Sequence, residues 1–176
     1  MKILPALSLV AALFLGASHV VAQPFTLTDK PWRGTPIAPD KVTDKTPGPD
    51  YPFSLRWDAG KPGTNVIFFN FTSRDFSGYN TLSFWVYAEK ATFATIQVVF
   101  NSPTIGEQDV FESDFSVDTE GKWSKYTMSL DRFKKSREPA GWDQITAIQF
   151  CTHRHGNLPV EGTVLYFSGM QLELSP

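Results

Sequence analysis

Three features of the sequence predict an all-β fold, an antiparallel β-sandwich of about eight strands. Short runs of alternating apolar and polar residues recur between residues 53 and 174. Clusters of Gly, Pro, Asn and Asp separate these runs, and each cluster has the chemistry of a turn. No segment keeps an apolar period of 3.6 residues over the length of a helix.

The runs come in order. Residues 53–57 alternate, and 65–72 are aromatic and β-branched. Residues 81–87 are the clearest strand. Leu82, Phe84 and Val86 fall on one side and Ser83, Trp85 and Tyr87 on the other, because side chains alternate with period two. Residues 93–101, 109–117, 124–130, 144–152 and 163–174 complete the set. Residues 131–136 suggest one helical turn. The 15 Phe, 5 Trp and 5 Tyr supply the bulk that two facing sheets need between them.

Before the first run, residues 23–51 contain Pro31, Pro36, Pro39, Pro47 and Pro49, which break every helical window. This stretch reads as an extended arm or a loop-rich lead-in with room for one edge strand, leaving 52–176 as the sandwich domain. Lys2, the apolar stretch that follows it and the small residues ending at Ala22 have the order of a secretory leader, 1–22, with cleavage before Gln23. The apolar run is short for a bilayer span. Secretion, to the extracellular space or a periplasm, is the expectation.

Charge narrows the partners. Sixteen basic against eighteen acidic residues give a net charge of −2, with no basic run, which argues against nucleic acid and anionic lipid. Cys151 is the single cysteine, so no intrachain disulfide can form and a cysteine zinc site is not expected. Asn70 begins an Asn-Phe-Thr glycosylation sequon within a strand.

Residues 75–87, with Ser77, Gly78, Tyr79, Leu82, Phe84, Trp85 and Val86 in place, resemble the D-x-S-G-Y-x-x-L-x-F-W-V-Y run of jelly-roll carbohydrate-binding modules. Gly121 with Trp123, then Tyr126, Leu130 and Phe133, Gly141-Trp142-Asp143 before Ile145, and Leu165-Tyr166-Phe167 extend the resemblance over residues 53–174. It implies the galactose-binding-like jelly roll of modules appended to bacterial polysaccharide lyases and glycoside hydrolases. Such modules commonly carry an aspartate after the Leu-Tyr-Phe segment that helps hold a structural calcium. Ser168 stands there instead and argues against the metal, since calcium prefers several hard oxygen ligands. No cofactor is expected.

A sugar-binding face needs flat rings and hydrogen-bonding side chains together. Trp85 and Tyr87 share one face of their strand, Gln97 and Asn101 one face of theirs, and Gln149 and His153 one face of a third, with Arg154 beyond. If these faces line one sheet they form a polar, aromatic groove for a polysaccharide or oligosaccharide. No catalytic residue and no metal ligand is assigned. Glu112 and Asp114 share a strand face but read as solvated charges. The expected protein is a secreted, monomeric, non-catalytic carbohydrate binder. Two alternatives stay open: a small jelly-roll lyase acting on a uronate-containing glycan, with Tyr87 or His153 as base, and a secreted protein-interaction domain.

Overall fold

The computed structural model describes residues 23–35, 37–104 and 109–175; the leader assigned to residues 1–22 lies outside them. Twelve strands occur among the described residues: β1 (Phe25–Thr26), β2 (Arg33–Thr35), β3 (Asp40–Val42), β4 (Ser54–Asp58), β5 (Val66–Arg74), β6 (Thr81–Ala88), β7 (Thr95–Asn101), β8 (Val110–Ser116), β9 (Trp123–Ser129), β10 (Lys134–Ser136), β11 (Ile145–Cys151) and β12 (Val164–Glu173). The eight expected runs correspond to β4–β9, β11 and β12. The other four strands are two or three residues long, too short for a periodic pattern to show. The helical turn expected at 131–136 is a single 3-10 turn, Leu130–Arg132, followed by β10.

The strands form two sheets, antiparallel throughout. The first runs β3-β4-β12-β6-β9, with β1 added on β12; the second runs β10-β8-β7-β11-β5-β2. The pairs β4 and β5, β6 and β7, β8 and β9, and β11 and β12 are neighbours in the chain but belong to opposite sheets. This repeated crossing between sheets makes the sandwich a jelly roll.

The inward residues meet in one aromatic core. Phe84 of the first sheet lies 5.5 Å from both Phe115 and Phe150 of the second, and 6.1 Å from Phe167 beside it. Each fully buried ring of this kind contributes about 1.5–3 kcal/mol by leaving water. At one end the 3-10 turn Trp142–Gln144 swings the Trp142 ring over Phe111, stacked at 4.3 Å. The Gly-Trp-Asp segment therefore turns a corner and seats a ring against the core.

The Pro-rich arm belongs to this sandwich. Its three short strands pair with β12, β5 and β4. Leu27 and Trp32 reach the core, and the Trp32 indole donates to the Leu27 carbonyl at 2.9 Å. The Ser54 hydroxyl donates to the Lys45 carbonyl at 2.7 Å, tying the rest of the arm to the start of β4.

Candidate functional site

With Ile67, Ile96, Phe111 and Ile148 turned into the core, the alternate residues of the second sheet face outward. The strand registers arrange them in three rows across the sheet. One row reads Arg33, Phe68, Gln149, Val99, Glu112, Lys134. Its neighbours read Asn70, Ala147, Asn101, Val110, Ser136 and Thr35, Val66, Cys151, Gln97, Asp114. Six strands at the usual spacing make this face about 24 Å wide.

Two depressions open on it. One, of about 510 Å³, is lined by Val66, Phe68, Asn70, Asn101, Pro103 and Gln149, among others. Within it the Gln149 side-chain amide donates to the Asn101 side-chain oxygen at 3.1 Å. This leaves a pre-set pair of amides beside the half-buried Phe68 ring, with Asn70 exposed at the same level. The other, of about 320 Å³, is lined by Gln97, Glu112, Asp114, Arg132, Lys134 and His155.

Between the depressions, side chains from the loop after β11 reach back over β7 to β8. Arg154 lies 3.4 Å and His155 2.8 Å from the Glu112 carboxylate. The floor at this point is sealed although it belongs to an outer face: Val99 and Cys151 are fully buried and Gln97 nearly so. Burial pushes the Cys151 thiol up from 9.0 to about 11, so it is an inert small hydrophobe rather than a nucleophile.

Five of the seven sequence-predicted residues gather on or beside this face: Gln97, Asn101, Gln149, Arg154 and His153, whose ring sits 3.4 Å from the Asn65 carbonyl. Trp85 and Tyr87 do not. Strand β6 lies in the first sheet and β7 and β11 in the second, so the outer faces carrying the two rings and the amides point away from each other. The expectation of one shared groove is corrected on this point. Period-two alternation tells which residues share a side of their own strand, but not which sheet the strand joins.

On the first sheet, the register sets Trp123, Tyr87, Tyr166, Arg56 and Asp40 in a row. The arm covers it. The Lys45 ammonium sits 4.4 Å from the centres of both the Tyr87 and Tyr166 rings. The Trp85 indole donates to the Tyr51 hydroxyl at 3.0 Å. Both rings close over Gly169, whose φ is +56° and where a Cβ would stand 2.5 Å from the Tyr51 ring. Ser168, in the position the resemblance gives to a calcium-binding aspartate, donates its hydroxyl to the Phe53 carbonyl at 2.8 Å. Among the described residues no group of three or more His, Cys, Asp or Glu could hold a metal ion, and no helix is long and apolar enough to cross a membrane.

Sequence reasoning missed Phe68, Asn70 and the part played by Glu112. A signal for the first two was present: Ile67 inward puts Phe68 and Asn70 outward on the same strand.

No family model matches this chain, and no curated protein matches it. Solved structures do. A solution structure of the family 11 carbohydrate-binding module CtCBM11 superposes with a TM-score of 0.61 at 13% identity, covering 91% of this chain and 99% of that one. The family 30 carbohydrate-binding module of a cellulosomal cellulase of Clostridium thermocellum gives a TM-score of 0.60 at 14% identity, covering 86% of each. A family 11 module from the same organism, in complex with a β-1,3-1,4-mixed-linked tetrasaccharide, gives 0.58 at 12% identity, covering 78% of this chain and 82% of that one. At these identities the likeness establishes the fold: this chain is a β-sandwich jelly roll of the kind found in carbohydrate-binding modules.

Proposed function

We propose that the outer face of the second sheet binds a carbohydrate chain and performs no chemistry on it. The observation that carries this reading is the set of cross-strand rows, which brings the amides of Asn101, Gln149 and Asn70 together beside the half-buried Phe68 ring on an open face. Primary amides present donors and acceptors side by side, which matches the two-way hydrogen bonding of sugar hydroxyls. An apolar ring beside them takes the C–H surface of a pyranose. Glu112, whose side chain is 13% exposed on this face, is paired with Arg154 and His155. The binding of a mixed-linked tetrasaccharide by a module of the same fold favours this reading. With the leader at its N-terminus, the protein acts outside the cytoplasm, alone or beside hydrolytic enzymes.

The test is affinity electrophoresis against a panel of polysaccharides, with each polymer also assayed for new reducing ends and unsaturated products. Retardation by at least one polymer without product formation is expected. Migration unaffected by every polymer would remove the binding reading, and product formation would replace it with an enzymatic one.

A further inference from the structure

The charged end of the second-sheet face contains Arg132, Lys134 and Arg154 against Glu112 and Asp114, with His155 alongside. Arg154 is the group most suited to an acidic sugar, because a guanidinium fork matches a carboxylate. In this structure its Nη2 stands 3.4 Å from Glu112 Oε2, an ion-pair distance, and that buried oxygen has no hydrogen-bond partner among the described residues. The Glu112 side chain is only 13% exposed and the Arg154 side chain 25%, so their attraction is less screened than that of a pair at the rim. The chain bends sharply to make the contact: His155 has φ +54° and Gly156 φ +80°. A non-glycine residue in that region is held there by its surroundings. Among the described residues, the anion that Arg154 and His155 both meet is Glu112.

We propose that Glu112 is a positioning residue that sets the charge preference of the face. By engaging Arg154 and His155 it withholds them from acidic sugars, so the face selects neutral glycans over uronates. This rests on the carbohydrate reading of the same face. Removing the Glu112 charge would leave Arg132, Lys134 and Arg154 with Asp114 as the carboxylate among the described residues of this depression, and the Arg154 fork free to take a uronate carboxylate.

The experiment compares retention of the secreted chain by polygalacturonate, by its methyl-esterified form and by whichever neutral polysaccharide the panel identifies, at low and high salt. The unaltered protein should be retained by the neutral polymer and not by polygalacturonate. Glu112→Gln should gain polygalacturonate retention by about tenfold at low ionic strength, lose that gain in about 1 M salt, and show no comparable gain for the esterified polymer. Adding Arg154→Gln to that variant should cancel the gain.

Retention of the unaltered protein by polygalacturonate would overturn the proposal, as would a folded Glu112→Gln variant with no gain. Should that variant fail to fold, Arg154→Gln decides: neutral-glycan retention should stay unchanged, and a drop would mean that Arg154 contacts the ligand directly, against the proposal. If no neutral polymer is retained by the unaltered protein, it is the carbohydrate reading that falls. If neutral retention stands and the charge preference does not move, only the role of Glu112 falls.

Discussion

On the first sheet, Trp123, Tyr87 and Tyr166 line up across three strands, and Trp85 sits one row away. On the second, the corresponding rows hold amides, one phenylalanine and a knot of charges. By composition the first face looks the better glycan platform. It is the one the protein covers with its own chain: Tyr51 takes the Trp85 indole and Lys45 the Tyr87 and Tyr166 rings. Among the described residues, the second face is crossed by the tips of Arg154 and His155 and keeps two open depressions. Outward-facing aromatics therefore do not mark a binding surface until it is known what lies on them. A nearby Pro-rich arm that cannot be helical is itself a candidate cover.

The largest effect that probes this contrast is on what the two faces share. Phe84→Ala empties the centre of the core and should cost about 3–5 kcal/mol, read as a lower urea midpoint. A small loss would mean that the sheets do not meet at this ring. Next, Asn101→Ala combined with Gln149→Ala should weaken retention by the neutral polysaccharide about tenfold with little change in the urea midpoint, since each net hydrogen bond is worth roughly 1 kcal/mol. Trp85→Phe should leave retention unchanged. If instead Trp85→Phe abolishes retention and the amide variant does not, the assignment of the two faces is reversed.

Smaller effects separate the cover from the groove. Tyr51→Phe removes the acceptor of the Trp85 indole and should cost about 1 kcal/mol in stability, with glycan retention intact. Lys45→Met removes the cation over two tyrosines and should cost about 0.5–1 kcal/mol by the same denaturation measurement. Increased glycan binding in either variant would show that the covered face is a second, masked site.

Much of this was legible in the sequence where the signal was local. Leu82, Phe84 and Val86 are buried inside as their alternation predicts, and Gln97, Asn101 and Gln149 face out as theirs predicts. The arm was less legible. Its strands β1, β2 and β3 are two or three residues long and owe their pairing to β12, β5 and β4, which lie far along the chain from two of them. The part played by Glu112 was not legible at all. Its partners are more than forty positions away and reach it over an intervening strand.

By itself the sequence determined the all-β class, eight of the strands and which side of each strand is apolar. Those properties follow from neighbouring residues and a period of two. Only the tertiary structure decided which outward sides share a sheet, that the arm covers one face, and that Arg154 and His155 turn back onto Glu112. Sheet membership is set by chain crossings and long-range registers, and a strand's own alternation carries no information about the partner beside it.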